Sequence, residues 1–455
     1  MSTIVAISTA PAIGGIGIIR LSGEKTFEII EKIFIPKNKQ KIEEIKGNSI
    51  KYGHIVDEGK TIDEVLVSYF KAPKSYTAED MCEINSHGGI LIVRRILEIC
   101  LKNGATLAEP GEFTKRAFLN GRIDLIEAES VGDLINSETE KSMKLSLNGV
   151  TGNITNLVNS IRKELVSISA NIEVNIDYPE YEDAIVLTNE LIKPKIITIK
   201  NELENLLKES QNSKLIKKGI DVAIVGKPNV GKSSLLNTLL EEEKAIVTNI
   251  AGTTRDIVEG KIILDGIILN LIDTAGLRET NDIVEQIGVN KSKEIINSSD
   301  LIILVLNYNE EITKEELDLI NELKNKKLIV YINKNDLEKK LDESKIKTNN
   351  IVYGNTKEYK NLNDLKNKIR ELFNLGELES SNLNYLSNSR QISLVKKSID
   401  VLDNTLNSIE NNIEIDLLAI DIKECFDLLG EIIGSTYKDE LLDEIFSNFC
   451  LGKWV

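Results

Sequence analysis

The sequence predicts a multidomain protein of α/β and all-α parts: an N-terminal α/β domain, a central helical domain, and a second α/β domain with a mostly parallel sheet inserted into the helical one. Three observations predict this. The chain has 455 residues, too many for one ordinary hydrophobic core. The apolar periodicity changes from mixed to helical after about residue 118, to strand–helix alternation at 216, and back to helical at 377. A phosphate-cradle pattern, GxxxxGK[ST], falls near mid-chain at Gly226 to Ser233.

Residues 1–118 alternate β-branched strands ("STIVAIS", "GIGIIRLSG", "VLVSYF") with a helix, "GGILIVRRILEICLKNG", closed by Gly104. Residues 119–215 carry apolar positions every three or four residues, broken only at "DYPEYED". Residues 216–376 read as strands "GIDVAIVG", "KIILDGIILNLIDTAG", "DLIILVLN" and "KLIVYINKND" with helices between, the order of a parallel sheet with crossovers. In 377–455, Val395, Ile399, Leu402, Leu406 and Ile409 share one helix face, and Leu441, Leu442, Ile445, Phe446 and Phe449 share another. Such stripes need partners. The economical arrangement packs 119–215 against 377–455 as one helical domain.

Hydrophobic residues (41%) and charged residues (28%) fit a globular protein. The net charge of −16 argues against broad nucleic-acid binding and leaves a local basic face open. Cys82, Cys100, Cys425 and Cys450 form no CxxC pair, and only His54 and His87 add imidazole, so no structural zinc site is expected. Reduced thiols and a cytoplasmic location follow. The apolar N-terminus has no basic residue before Arg20, unlike a secretory signal, and the apolar run Leu301 to Leu306 is too short to span a bilayer, so no membrane association is expected.

The cradle is preceded by a strand and followed by an apolar helix, the context its chemistry needs. Gly226 and Gly231 let backbone N–H groups converge on phosphate oxygens, Lys232 adds a point charge at the β/γ-phosphates, and the Ser233 hydroxyl suits Mg²⁺. Three further short motifs follow in order. "AGTTRD" supplies Thr254 for Mg²⁺, "DTAG" supplies Asp273 for the metal shell and the Gly276 amide, and "NKND" supplies Asp336, whose carboxylate accepts from guanine N1 and N2. Each alone is weak; the ordered set predicts a Ras-like GTPase domain. Nucleotide contacts are expected from Asn229, Val230, Gly231, Lys232, Ser233 and Ser234, from Thr248, Asn249, Ile250, Ala251, Gly252, Thr253 and Thr254, from Asp273, Thr274, Ala275 and Gly276, and from Asn333, Lys334 and Asp336. Leu277 stands where Ras-type enzymes carry a water-orienting glutamine, so a polar group must arrive from elsewhere. The remaining guanine-side loop aligns with "NTK" at Asn355 to Lys357, a degenerate form that leaves its contact open.

Beyond this domain, "GGIGIIRLSG", "YTAEDMCEINSHGG", "LAEPGEFTKRAFLNGRIDLIEAE", "VNIDYPEYED" and "FCLGK", together with "PNVGKSSLLN", "TNIAGTTRD" and "DTAGLRET", resemble the MnmE (TrmE) tRNA modification GTPase family over essentially the whole chain. The resemblance implies that residues 1–118 bind tetrahydrofolate and dimerise, that 119–215 and 377–455 form the helical domain, and that 216–376 is a TrmE-type G domain. It implies a homodimer, a heterotetramer with the flavoprotein MnmG (GidA), and tRNA as substrate. The implied chemistry is modification of carbon 5 of the wobble uridine (a carboxymethylaminomethyl or aminomethyl group), with a formyl- or methylene-tetrahydrofolate as one-carbon donor. By motif match the folate contacts are Arg20, Glu83, Arg122 and Lys453; without the motifs each reads as an ordinary surface charge. K⁺ would be held by Asn229, Thr248, the Ile250 carbonyl and Thr253, whose hard oxygens suit it. Glu285 would orient the attacking water, against the bland reading of a solvated helix glutamate. Cys450 beside Phe449 is more often packing than catalysis, and His87 more often structural than a ligand. Ser86 stands where relatives often have Cys, "DYPEYED" replaces a more acidic stretch, and Trp454 and Val455 extend past "CLGK". The competing readings are a ribosome-assembly or RNA-chaperone GTPase acting only as a binding switch, and a scaffold that hydrolyses GTP to change shape. The folate-type N-terminal motifs and "FCLGK" favour the modification enzyme.

Overall fold

The computed structural model describes residues 2–37, 48–177, 189–242, 260–273, 294–356, 362–375, 386, 388–436, 439–447 and 449. Contacts divide the chain into two units: Met1–Asn136 with Leu147–Leu203 and Ser393–Val455, and Ser137–Ser146 with Glu204–Ile392.

The first unit opens with β1 (Ile4–Ile7), β2 (Ile16–Ser22), α1 (Thr26–Ile33), β3 (Phe34–Pro36), β4 (Ser49–Asp57), β5 (Lys60–Phe70), β6 (Met81–His87), α2 (Ile90–Lys102) and β7 (Thr106–Leu107). The strands form one sheet in the order β3-β4-β5-β6-β2-β1-β7, antiparallel except for the β1–β7 pair. Alternation decides what each face carries. Ile19, Leu21, Val67, Cys82 and Ile84 bury against Ile29, Ile30 and Ile33 of α1 and Val93, Ile96, Leu97 and Cys100 of α2. Their neighbours Arg20, Ser68, Glu83 and Asn85 therefore project from the opposite face. There Ile50, Tyr52 and Leu66 remain exposed.

Helices follow: α3 (Glu112–Leu119), α4 (Leu125–Ile135), α5 (Glu140–Val150), α6 (Asn153–Asp177) and α7 (Asn189–Lys218). Asp124 starts α4 with a reciprocal cap: its Oδ1 accepts from Glu127 N at 2.9 Å while Glu127 Oε2 accepts from Asp124 N at 2.8 Å. On α6, Ile154, Val158, Ile161, Leu165, Ile168 and Ile172 are buried, the three-and-four spacing of one helix face.

The second unit holds β8 (Ile220–Val225), α8 (Lys232–Glu242), β9 (Gly260–Leu264), β10 (Ile267–Asp273), β11 (Leu301–Asn307), α9 (Lys314–Glu322), β12 (Lys327–Asn333), β13 (Ile351–Tyr353) and α10 (Leu362–Phe373). The sheet order is β13-β12-β11-β8-β10-β9, parallel throughout except for β9. Both faces are covered, which is why these strands read as unbroken apolar runs. Val222, Ile224, Leu301 and Ile303 pack with Leu235 and Leu239 of α8 and Leu365 and Ile369 of α10. Ala223, Val225, Ile302 and Leu304 pack with Ile320 of α9.

The chain ends in α11 (Ser389–Glu410), α12 (Ile415–Ile433) and α13 (Asp439–Ser447). Val395, Ile399, Leu402 and Ile409 are buried on α11, with Leu406 half-buried. The early and late helices pack within the first unit, as their stripes require. The Arg162 guanidinium lies 4.2 Å from the Phe426 ring centre, Lys200 pairs with Asp403 at 2.5 Å, and Leu442 and Phe446 join Phe118 and Leu125 in one cluster. The α/β, helical and mostly parallel α/β parts read from the sequence are thus all present. Among the described residues no helix is long and apolar enough to cross a membrane.

Candidate functional site

In the second unit, β8 lies between β10 and β11 and delivers the chain into the loop Gly226 to Gly231. Two glycines here answer a steric demand. Gly226 has φ +150°, and a Cβ on it would sit 2.5 Å from the Val305 carbonyl oxygen. Gly231 has φ +100°, and a Cβ would sit 2.2 Å from Asn333 Nδ2. Between them Asn229 takes a left-handed φ of 62° and is exposed, and Val230 is buried. The loop is held from the end of β12. Asn333 is 1% exposed, and its Nδ2 donates to the Val230 carbonyl at 2.8 Å. Lys334 Nζ donates to the Asn229 carbonyl at 3.0 Å.

Lys232, the first residue of α8, is buried, and its Nζ donates to the Lys227 carbonyl at 2.8 Å. The Lys227 side chain pairs with Glu316 at 3.3 Å, a carboxylate that also accepts from Thr313 N at the start of α9. Ser233 and Ser234 are exposed on the first turn of α8. This is the donor-rich helix start that suits an anion and, at the Ser233 hydroxyl, a hard cation. Asp273 ends β10 opposite Ile224 in the parallel register, so its backbone stands level with the mouth of the cradle. Asp336 is exposed on the loop after β12, where its carboxylate is open to a ligand.

The "NTK" loop also comes to this place. Thr356 N donates to Asn333 Oδ1 at 3.3 Å, and Asn355 is buried. Thr248, Asn249, Ile250, Ala251, Gly252, Thr253, Thr254, Thr274, Ala275, Gly276, Leu277, Glu285 and Lys357 lie outside the described residues, as do Cys450, Lys453, Trp454 and Val455. The Asp273 side chain does too.

In the first unit the structure gathers three of the four residues expected at a folate. Arg20 and Glu83 are register partners on β2 and β6. Arg20 Nε and Nη2 both reach Glu83 Oε1, at 2.8 and 2.7 Å. Oε2 makes no hydrogen bond among the described residues. Arg122 follows α3, and its guanidinium lies 4.6 Å from the centre of the Tyr76 ring, with the Arg20 guanidinium 5.5 Å from the same ring. Phe113 lies 5.6 Å from Arg20. Beneath them buried Arg116 pairs with Glu79 at 3.1 Å and Glu112 at 2.7 Å. His87 is engaged through Nδ1 with Asp63 Oδ1 at 2.7 Å, and its backbone N donates to Asp63 Oδ2 at 2.9 Å. Burial pushes the Cys100 and Cys425 thiols up to about 12 and Cys82 well above its ordinary value. These three are packing residues.

Reading by motif missed Tyr76, Phe113, Lys227 and Glu316. The signal for Tyr76 was present in "SYTAED", an aromatic residue ahead of a polar turn. Glu316 offered only a capping box, which says nothing of its ion pair.

A family model described as the MnmE helical domain matches residues 125–450, and one described as the N-terminus of the GTP-binding protein TrmE matches residues 3–122. The tRNA modification GTPase MnmE of Bacillus subtilis (strain 168) is 45% identical over 459 aligned residues, covering 100% of each chain. That of Listeria innocua serovar 6a is 46% identical over 455, covering 99% of each. Among solved structures, the G domain of the T. maritima FeoB iron transporter is 31% identical over 33% of this chain and 97% of its own, with a TM-score of 0.26.

Proposed function

The chain belongs to the MnmE family of tRNA modification GTPases, and from that premise we propose that it hydrolyses GTP and, with a flavin-binding MnmG (GidA) partner, modifies carbon 5 of the wobble uridine of certain tRNAs. The observation that carries the GTPase part is the Asn333 strap. One buried side chain at the end of β12, where the loop bearing Asp336 begins, is bonded to both the phosphate loop and Thr356, which supports coupled recognition of phosphate and base.

The division of labour follows from the residues. The backbone of Asn229 to Ser234 and the Lys232 ammonium bind the phosphates, and Asp336 selects guanine. Ser233, with Thr254, would hold Mg²⁺, which supplies charge neutralisation at the phosphates. Asn229, Thr248, the Ile250 carbonyl and Thr253 would hold K⁺, which stands in for an arginine finger. The exposed Asn229 amide at a left-handed turn fits that role. Glu285 orients water in place of the glutamine that Leu277 replaces. In this reading 1–118 is the folate and dimerisation domain, 119–215 with 377–455 the helical domain, and 216–376 the G domain.

A tetrahydrofolate in formyl or methylene form is the one-carbon donor. Its pterin edge offers N–H donors to Glu83 Oε2, and its glutamate tail suits the guanidiniums and Lys453. The sheet face with exposed Ile50, Tyr52 and Leu66 runs from the Arg20–Glu83 pair and supports a second copy of the chain as its cover.

The test is GTP turnover in KCl against NaCl at equal ionic strength. Hydrolysis should be faster in K⁺, and Asn229→Ala should remove the difference. Equal turnover in both salts refutes the ion site. Tight folate binding with no K⁺ effect would leave the folate domain standing on its own.

A further inference from the structure

We infer that Tyr76 is a positioning residue of the folate site: its ring fixes the Arg122 guanidinium so that this residue, and not Arg20, reads the anionic glutamate tail. The inference rests on the folate reading above. Arg20 gives the Nε–Nη2 edge of its guanidinium to Glu83 Oε1 and is thereby committed to orienting that carboxylate. Arg122 differs. Its side chain is exposed, and its guanidinium makes no hydrogen bond or ion pair among the described residues. Its described contact is the Tyr76 ring, 4.6 Å away, with the Glu127 carboxylate in electrostatic range. A guanidinium stacked by its face on an aromatic ring keeps its N–H edge free, and that edge matches a carboxylate in two parallel bonds.

The ring is the fixed half of this pair. The Tyr76 hydroxyl lies 3.0 Å from Thr114 Oγ1. The adjacent Thr77 is fully buried, with its hydroxyl 2.6 Å from Ser22 Oγ and its carbonyl accepting from Asn120 Nδ2 at 2.7 Å. Two residues on, Glu79 accepts from Ser22 Oγ at 2.7 Å and pairs with buried Arg116. The turn carrying Tyr76 is thus tied to β2 and to α3, whereas Arg122 has no such anchor. The same ring lies 5.5 Å from Arg20, but Arg20 is held by its two contacts to Glu83, so loss of the ring falls on Arg122.

The experiment is calorimetric titration of the full-length protein with 5-formyltetrahydrofolate and with an analogue whose two tail carboxylates are amidated. Tyr76→Leu should weaken the acid about tenfold, the worth of one partly desolvated cation–π contact. It should leave the amidated analogue within about twofold, and Tyr76→Phe, which keeps the ring, should bind the acid within about twofold of wild type. Equal loss for acid and amide would mean a general structural defect and overturns the inference. So does wild-type affinity for the acid in Tyr76→Leu. Arg122→Gln gives an independent arm, because it disturbs no described hydrogen bond. It should cut the preference for acid over amide at least severalfold, with Lys453 remaining, and an undiminished preference refutes the assignment. Wild-type protein that binds neither ligand would instead sink the folate reading itself.

Discussion

Replacing Asn333 by alanine should loosen phosphate and base recognition together. Asn333 is 1% exposed. Its Nδ2 donates to the Val230 carbonyl at 2.8 Å, and its Oδ1 accepts from Lys334 N at 2.9 Å and from Thr356 N at 3.3 Å. Alanine removes these bonds and the longer one from Thr356 Oγ1 at 3.4 Å. The Lys334 and Thr356 amides are half-buried and recover water. The carbonyl of buried Val230 loses its partner. A buried polar group without a partner costs roughly 1–3 kcal/mol. Most of this is felt when the loop must hold its bound shape, so GDP affinity should fall about 10- to 100-fold. Titration with a fluorescent GDP analogue measures this. The fall should appear with guanine and xanthine nucleotides alike, because the bonds lost run to the Val230, Lys334 and Thr356 backbone. Affinity within about threefold of wild type would refute the idea that Asn333 organises the cradle.

Asp336→Asn should do the reverse, weakening GTP by roughly 1.5–3 kcal/mol while favouring xanthine nucleotides; unchanged GTP affinity removes Asp336 from the base site. In a Cys450→Ser background, an aromatic disulfide reagent at pH 8 should label no thiol of the native protein and three after denaturation, since burial raises Cys82, Cys100 and Cys425 far above that pH; rapid native labelling would contradict their burial. Arg370 holds the Asp265 carboxyl below its ordinary 3.8 through bonds of 2.6 and 3.0 Å. A depressed folded value stabilises above the unfolded value and is lost as pH falls through the folded one. The stability gap between wild type and Arg370→Met, read from urea midpoints, should therefore be constant at neutral pH and close only below the ordinary aspartate value. A gap unchanged at acid pH would contradict the pair.

The strand–loop–helix turn proposed to hold the nucleotide was legible because its parts are local. Gly226 to Ser233 spans one strand–loop–helix turn, and Asp273 and Asn333 each end a strand, so spacing and apolar runs were enough to place them. The two-sided burial of β8, β11 and β12 was legible in the same way, from apolar runs without alternation. What joins those parts was not. The bonds from Asn333 to Val230 and from Lys227 to Glu316 depend on strand order, which no short stretch encodes. In the N-terminal sheet, alternation around Ile19 and Leu21 turns Arg20 away from the core, yet only the register puts it beside Glu83. Tyr76 escaped notice because an aromatic residue in a turn reads equally well as packing. Its meaning comes from two guanidiniums supplied by different elements.

The most direct test of the account is mass spectrometry of wobble uridines in tRNA from cells lacking this chain. Loss of the carbon-5 aminomethyl-type groups is predicted, with restoration by the wild-type chain and not by Asn333→Ala. Wobble uridines that keep those groups in the deletion strain would contradict the claim that this GTPase serves tRNA modification.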